Sequence, residues 1–425
     1  MTQPARGALV GLVVLGVAVL ALVLLSTPWR ALPAPAGGPT RVDPARDFTA
    51  EQIAREDAFH RQVRPASYTS LALGLVLAGL FGLTPAGARL VGALARPFGG
   101  GWIWQVLLGG AALALAGRLV TLPFAAYAET VLRRYGLSTQ NWAGWAVDAV
   151  KGFALSAGLA ALALLGLYAL VRAAPRTWWA WAAAGAAALV VALSFAFPLL
   201  IEPVFNRFTP MPAGELRESL LALAARDGVP VQDVLVADAS RRTTTLNAYV
   251  SGFGSTRRIV VYDTLLSSAS PGEVRLVVAH ELGHAKRQDV LHATVAGALG
   301  AATAVCAVAV LFGWAALLRR AGVPGLADAR SLAALLFVLQ VGGLLAGPAG
   351  ALVSRRIEAR ADVHALDLTG DPATFAAMQR RLSVANLSDL DPNPVVYGLF
   401  ATHPTGPERI ALARDWARVH GTAEP

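Results

Sequence analysis

The amino-acid sequence predicts a mainly α-helical integral membrane protein with seven spans and a polar α+β unit at one membrane face. Three observations support this fold class. First, 55% of the 425 residues are hydrophobic and only 15% are charged, which is too little charge to cover soluble domains of this length. Second, seven apolar runs reach the roughly 20 residues that a bilayer crossing requires. Third, the segments 201–289 and 354–425 are polar, and the two spans between them place both on the same side.

The seven predicted spans divide the chain into two regions. Residues 1–200 form an N-terminal membrane region with five spans and a polar loop at 30–68, and residues 201–425 contain the other two spans. For the first run, a cleaved signal peptide is an alternative, because residues 34–36 (Ala-Pro-Ala) resemble a cleavage site, although the run exceeds a typical signal core. The spans are predicted at residues 7–29, 69–90, 102–125, 149–171, 178–200, 290–318 and 331–353.

Charge and cysteine content narrow the partners and the location. The net charge is +9, and the arginines that carry it flank apolar runs, which favours a lipid bilayer over nucleic acid as the partner. Arginines concentrate in the loops on the side of 201–289 and 354–425, and positive residues prefer the cytoplasmic side of a membrane. We therefore expect the polar unit to face the cytoplasm or a chamber inside the protein. The Ala, Gly and Arg bias is typical of a GC-rich bacterial genome, so we expect the membrane to be a bacterial inner membrane. The single cysteine, Cys306, excludes an intramolecular disulfide and a cysteine-based zinc knuckle.

The segment 201–289 has the pattern of a folded soluble unit. Residues 213–227 predict an amphipathic helix with leucines and an alanine on one face. The β-branched runs Asp233–Ala237 and Arg258–Tyr262 predict short strands, and Asn247–Val250 predicts a third that ends at a glycine-rich turn.

The strongest local motif is His-Glu-Leu-Gly-His at residues 280–284. Ser270 and Glu273 form the two ends of a capping box, which predicts a helix that runs through the motif. Residues four apart on a helix lie on the same face, so His280 and His284 can direct ring nitrogens at one ion. Glu281 lies about 100° around the helix, where it can accept a proton from a water beside the ion.

The third ligand has to come from elsewhere in the chain, because a catalytic zinc keeps three protein ligands and one open position. Glu358 is the best candidate, because it directly follows the seventh span, while the histidine helix directly precedes the sixth. Both segments therefore start at the same membrane face. Asp362 lies one helical turn further on and can orient a histidine ligand or assist proton transfer. In the alternative interpretation, the histidines cap polar structure and the two acids form a solvated face that pairs with Arg355. His292 and His364 are interpreted as ordinary surface or interfacial residues.

With these motifs in place, the sequence resembles the type I CAAX prenyl proteases, the sterile-24 type, and their bacterial homologues. The resemblance covers most of the chain. The matching segments are 205–210, 247–249 with 257–265, 280–284, 358–362, His403-Pro404 and Glu408-Arg409.

The resemblance implies a zinc metalloendopeptidase in which seven helices surround a chamber and a zincin-like unit closes the cytoplasmic end. It also implies that the strand at Asn247 and Tyr249 binds the substrate backbone, and that His403 contacts the substrate carbonyl or oxyanion. The implied partner is a peptide or protein, with a lipidated C-terminus in the eukaryotic members. Ala359-Arg360 replaces the Phe-Gln pair of many eukaryotic members, and bacteria generally lack protein prenylation, so a substrate without a prenyl group is equally open.

The resulting hypothesis assigns one Zn²⁺ to His280, His284 and Glu358. Glu281 takes the proton from water, and Glu281 or Asp362 delivers it to the leaving amine.

Three alternatives remain open from the residues. A transporter or channel with a coincidental histidine motif would suit seven spans and the intramembrane Arg118. Arg118 is expected to pair with Glu129 or Asp148 or to line a wet chamber, and a snorkelling or structurally paired arginine is the alternative. A zinc-binding scaffold would not need the base Glu281. Among peptidases, membrane-protein quality control is the alternative to C-terminal trimming.

Overall fold

The computed structural model describes residues 3–425 and is mainly helical, with one small mixed sheet. Among the described residues, seven helices are long and apolar enough to cross a membrane, which confirms the predicted number of spans. In chain order the helices are α1 (Gln3–Ser26), α2 (Pro44–Asp47), α3 (Ala50–Gly82), α4 (Pro85–Ala95), α5 (Trp102–Arg134), α6 (Trp142–Ala173), α7 (Trp178–Ala196), α8 (Glu202–Phe205), α9 (Glu215–Asp227), α10 (Asp263–Ser268), α11 (Pro271–Lys286), α12 (Asp289–Leu311), α13 (Ala315–Ala321), α14 (Leu332–Thr369), α15 (Pro372–Ala385), α16 (Pro394–Phe400) and α17 (Gly406–His420). The membrane-crossing ones are α1, α3, α5, α6, α7, α12 and α14.

The second span differs from its prediction at both ends. A capping box at Thr49 starts α3, so much of the expected polar loop 30–68 is helical. At the other end, Pro85 occupies the first turn of the separate helix α4. The predicted bounds of 69–90 are therefore wrong, because hydropathy marks only the apolar half of α3 and is blind to the polar half that continues the same helix.

The last two spans also have different bounds from the predicted 290–318 and 331–353. α12 ends at Leu311, and α13 follows as a separate short helix. α14 has no such break: it continues past the membrane-length run to Thr369. Its continuation carries Glu358 and Asp362 on the same helix that crosses the membrane.

The first helix packs as part of the membrane bundle. α1 packs extensively against α12 and touches α7 at fewer positions. A Cβ atom at Gly11 would lie only 2.9 Å from the Trp179 ring and 3.1 Å from Cys306 Sγ, so the absence of a side chain there permits the close approach. Cys306 is fully buried in this contact, as expected for a small apolar residue.

Arg118, on α5, does not form either predicted ion pair. Glu129 instead accepts hydrogen bonds from Arg133 and Ser138, both at 2.7 Å. Asp148 accepts from Gln140 at 2.6 Å. The expected pairing is wrong because each carboxylate is already engaged by a polar group nearer to it in the chain.

The sheet has four strands in the order β1-β2-β4-β3. Only β2 and β4 are parallel, and β1 and β3 pair antiparallel at the two edges. Two strands have the predicted bounds, the third both starts and ends one residue later than predicted, and β1 was not predicted. The strands are β1 (Phe208–Pro210), β2 (Asp233–Ala237), β3 (Ala248–Ser251) and β4 (Arg258–Tyr262).

The core of the polar unit lies between this sheet and the helices α9, α11, α14 and α15. Val274, Val278 and Leu282 are fully buried on one side of α11, and Leu366 on α14 is equally buried. Burial of a side chain of this size contributes about 1.5–3 kcal/mol. The same packing therefore fixes α11 against α14, the helices that carry the motifs.

Candidate metal centre

The helix α11 has the local structure that its sequence predicts. Ser270 Oγ accepts a hydrogen bond from the Glu273 backbone at 3.3 Å, and the Glu273 carboxylate accepts one from the Ser270 backbone at 2.7 Å. The capping box satisfies backbone donors that a helix start leaves free. The helix then continues through His280 and His284 to Lys286, so the two histidines share one face.

His280, His284 and Glu358 converge at a single point. The Nε2 atoms of His280 and His284 lie 3.2 Å apart. Glu358 Oε2 lies 3.3 Å from His280 Nε2, and Glu358 Oε1 lies 3.5 Å from His284 Nε2. The alternative in which Glu358 belongs to a solvated face is not what the structure contains, since Glu358 is buried. The structure thus brings together all three residues that were predicted to be ligands.

The atoms at this point fit a metal ion. Glu358 Oε2 is buried and has no hydrogen-bond donor among the described residues. The Nε2 atoms of His280 and His284 face this carboxylate, one at each oxygen, and also face each other. The second ring nitrogen of each histidine is already engaged by another carboxylate. Imidazole nitrogen and carboxylate oxygen are both ligands that zinc accepts, and a carboxylate oxygen left bare in a buried site is costly. A divalent cation among the three groups would satisfy every one of them.

His280 is supported from behind by Asp362. Its Nδ1 lies 2.9 Å from Asp362 Oδ1, and the Asp362 carboxylate has no exposed area. Arg409 donates from Nε to Asp362 Oδ2 at 2.8 Å, and its Nη2 contacts the other oxygen. A carboxylate on Nδ1 fixes the tautomer that leaves Nε2 free for a metal. Asp362 is thus placed to orient His280, one of the two roles predicted for it.

His284 has a support of the same chemical type. Its Nδ1 lies 2.9 Å from Asp289 Oδ2, and Arg360 is ion-paired with the other carboxylate oxygen of Asp289. Asp289 begins α12 and Arg360 lies on α14. The residue Arg360, which departs from the Phe-Gln pair of many eukaryotic proteases, therefore has a defined place beside the site.

Glu281 lines the cavity next to the three converging residues and is half-buried. Burial raises the pKa of its carboxyl above the usual value, against the opposing effect of His280 and His284. A carboxylate whose pKa moves toward neutrality becomes a better proton acceptor. Position and pKa shift both suit the predicted general base.

The cavity has a volume of about 960 Å³ and extends from the metal-ligand cluster along α3 and the edge strand β3. Asn247, Tyr249 and His403 line it, as expected of residues that contact substrate. His403 Nε2 lies 3.4 Å from Glu358 Oε1, and its side chain is 62% exposed. The structure thus places the predicted substrate-contacting residues around the same space as the cluster.

The two histidines near the motifs, His292 and His364, behave differently from each other. His292 is exposed on α12, as predicted. His364 is not an ordinary surface residue: its Nε2 lies 3.0 Å from the buried Asp227 carboxylate. Its ring also packs over Gly283, where a Cβ would approach it to 3.0 Å. That contact holds α11 against α14.

Three residues around the histidines were missed as functional residues. Arg409 was noted only as part of a C-terminal motif, and no role was given to Asp289 or to Arg360. Of the three, only Asp289 could have been found from the sequence, because it lies five residues after His284, close enough in the chain to contact it. Arg409 contacts Asp362 across 47 positions of sequence, and no pattern in the chain indicates such a contact.

A metal-binding cluster of this kind at the wall of a cavity, in a protein with seven membrane helices, is what an integral-membrane metallopeptidase requires. Comparison with known proteins confirms the class. Peptidase family M48 matches residues 210–417, and the family described as CAAX prenyl protease N-terminal, five membrane helices, matches residues 54–207.

Similar individual proteins cover most of the chain. An uncharacterized metalloprotease, YhfN of Bacillus subtilis, is 32% identical over 71% of this chain and 71% of its own length. A CAAX prenyl protease 1 homolog of Oryza sativa is 30% identical over 72% of each chain. The chain therefore belongs to peptidase family M48, with the membrane helices of the CAAX prenyl proteases, and is a membrane zinc metalloprotease.

The fold has a solved counterpart. The crystal structure of S. mikatae Ste24p superposes with a TM-score of 0.78, covering 97% of this chain and 99% of that one at 21% identity. The predicted architecture of seven helices around a chamber is thereby confirmed. Nothing in these comparisons supports the transporter or channel alternative.

Proposed function

We propose that this protein hydrolyses peptide bonds with one Zn²⁺ held by His280, His284 and Glu358. The observation that carries the proposal is the convergence of two imidazole nitrogens and a buried carboxylate oxygen that lacks a donor. When bound there, zinc lowers the pKa of water to about 7 and polarises a carbonyl.

The remaining steps belong to the side chains around the cluster. Glu281 accepts a proton from the attacking water and then delivers it to the leaving amine. His403, at the open side of the cavity, donates a hydrogen bond to the substrate carbonyl oxygen as negative charge develops on it. Asp362 has no exposure to the cavity, so its part is to hold His280 in the ligating orientation.

The substrate backbone binds along β3. Within residues 3–425, this strand pairs with β4 on one side only, and its other edge can add an extended peptide as a further strand. Asn247 and Tyr249 line the cavity at that edge. A peptide or the end of a protein chain is therefore the substrate class, and the cavity volume of about 960 Å³ leaves room beyond the scissile bond.

Whether that substrate carries a lipid is decided by assay. Relatives named CAAX prenyl protease 1 suggest a lipidated C-terminus, and the apolar residues Leu71, Val396 and Phe400 line the cavity. The purified protein is given matched Cys-a-a-X peptides with and without a prenyl group, each with and without chelator. Faster cleavage of the prenylated peptide supports a lipidated substrate, and equal rates support an unmodified one.

The polar unit faces the cytoplasm from a bacterial inner membrane. Arginines dominate the loops on its side, and positive residues favour the cytoplasmic side. The chain divides at about residue 200 into a membrane region, 1–200, and a peptidase region, 201–425, a division that the two family matches support. Reporter fusions after residues 425 and 175 test the orientation: cytoplasm-only reporters are expected to be active at the first site and inactive at the second.

The decisive experiment changes one atom of the general base. Glu281→Gln keeps the size of the side chain and the three ligands, so zinc content should match the wild type while peptide cleavage is lost. Glu215→Gln, an exposed glutamate on α9, is the matched control and should keep both. Full turnover in Glu281→Gln would refute the assigned base.

A further inference from the structure

A second cluster of potential metal ligands lies away from the candidate metal centre. Glu56 and His60 are one turn apart on α3, and Asp389 lies in the loop between α15 and α16. Each offers one ligand atom, and these atoms all lie within 4.8 Å of one another. His60 and Asp389 also line the cavity that contains His280 and Glu358.

The hydrogen bonding inside this cluster is incomplete. His60 Nε2 lies 3.1 Å from Glu56 Oε1 and 3.0 Å from the Leu387 carbonyl oxygen. A single ring nitrogen carries at most one hydrogen, so it cannot donate fully to both acceptors. Glu56 is only 3% exposed, and its Oε1 has no hydrogen-bond donor in the part of the chain that the structure describes. When His60 Nε2 donates to the Leu387 carbonyl, the buried Glu56 Oε1 is left 3.1 Å from that nitrogen without a proton to accept.

The charge around the cluster favours a cation. Asp57 and Asp391 are close enough to act electrostatically on Glu56, so they add negative charge to that of Glu56 and Asp389. Arg64, which is ion-paired with Asp389, is the one opposing charge among these groups. A carboxylate buried beside other carboxylates is destabilised unless a positive charge lies within a few ångströms.

We propose that Glu56, His60 and Asp389 bind a second divalent cation, with the Leu387 carbonyl oxygen as a further ligand. One imidazole with carboxylate and carbonyl oxygens is a donor set that suits Zn²⁺ or Mn²⁺. The ion supplies the positive partner that Glu56 Oε1 lacks and frees His60 Nε2 from sharing one proton between two acceptors.

This site connects α3 to the strand that borders the catalytic cavity. Asn386, next to Leu387, accepts a hydrogen bond from the Leu246 backbone at 2.8 Å and donates one back at 3.1 Å. Leu246 precedes the proposed substrate residue Asn247. An ion at the second site therefore fixes the loop that fixes the edge strand, without contacting the scissile bond itself.

Zinc stoichiometry tests the proposal on the full-length protein in detergent. The protein is stripped with chelator, re-equilibrated with buffered Zn²⁺, separated from unbound ion and analysed for metal. We expect about two ions per wild-type chain and about one in His60→Ala, because each site needs its imidazole. His292→Ala, an exposed histidine on α12, is the matched control and should keep both ions. One ion in the wild type, unchanged in His60→Ala, would overturn the second site.

A second measurement separates this site from the catalytic one. In the double variant His280→Ala, His284→Ala, added Zn²⁺ or Mn²⁺ should still raise the melting temperature, and adding Glu56→Gln or Asp389→Asn should abolish that rise. These two substitutions keep side-chain size, so they also cover the case in which His60→Ala fails to fold. No metal-dependent rise in the double variant would refute the proposal, whatever the peptidase assay gives.

Discussion

The two histidines of the candidate metal centre are held by the same chemistry from different regions of the molecule. We define the inner support as Asp362 and Arg409, behind His280, and the outer support as Asp289 and Arg360, behind His284. In each, a carboxylate oxygen lies 2.9 Å from the histidine Nδ1 and a guanidinium pairs with that carboxylate. The inner support joins α14 to α17, and the outer joins α12 to α14.

The two supports differ in exposure at every position. The side chains of Asp362 and Arg409 are 0% and 13% exposed, against 11% and 22% for Asp289 and Arg360. Removing one partner of an ion pair that is shielded from water costs more free energy, because no water molecule can take the place of the missing partner. Near the surface, solvent screens the charges. The comparison teaches that chemically equivalent residues should contribute unequally to zinc affinity and to the free energy of unfolding. Four predictions test this difference.

The largest effect is expected from removal of either histidine, and here the inner and outer sides should not differ. His280→Ala and His284→Ala each remove a proposed ligand, so both variants should lose stoichiometric zinc and peptide cleavage. Elemental analysis after gel filtration measures the metal, and His292→Ala serves as the control. Retention of wild-type zinc by either variant would remove that histidine from the ligand set.

Loss of the inner arginine should be the next largest effect. Arg409→Gln leaves the Asp362 carboxylate buried without its guanidinium, and breaking a buried pair in this way costs about 3–5 kcal/mol of unfolding free energy. Thermal or denaturant unfolding of the metal-free protein measures it. The control is Arg381→Gln, which removes the α15 arginine that pairs with Glu273 on α11. The Arg381 side chain is 43% exposed, so this variant should lose much less unfolding free energy. Equal losses would mean that burial does not decide the contribution.

The carboxylates allow the sharpest comparison between the two supports. Asp362→Asn should weaken zinc binding by about 10–100-fold, the usual cost of losing a carboxylate behind a histidine ligand. The loss of zinc affinity in Asp289→Asn should lie at or below the lower end of that range, because 11% of the Asp289 side chain is exposed to solvent. Competition with a zinc chelator of known affinity measures both. A larger loss in Asp289→Asn would reverse the proposed order of the two supports.

The smallest effect is expected at Arg360. Arg360→Gln introduces the second residue of the pair found in many eukaryotic relatives. It should cost less unfolding free energy than Arg409→Gln, because 22% of the Arg360 side chain is exposed and solvent partly screens the ion pair. Zinc affinity should change only a few-fold. Arg360→Glu places a negative charge beside Asp289 and should be worse than Arg360→Gln in both measurements. If glutamate and glutamine behaved alike, charge at this position would have no role.

The sequence predicted which three side chains converge at the candidate metal centre, because their signals are local. The histidine motif, the capping box at Ser270 and Glu273, and the acidic pair at 358 and 362 each lie within a few turns of one helix. Hydropathy likewise predicted seven spans. The same local methods failed for α3, whose polar first half has no apolar signal, and for β1, which has only three residues and depends on its pairing with β2.

The amino-acid sequence by itself determined the class of protein, the zinc-type motif and the number of membrane spans, since helical periodicity and apolar run length act over neighbouring residues. The tertiary structure alone decided how the centre is held. The contact of Arg409 with Asp362, that of Arg360 with Asp289, and the meeting of α3 with the loop at Asp389 join residues 47, 71 and more than 300 positions apart. Such contacts arise from the packing of whole helices, and packing leaves no periodic trace in the chain.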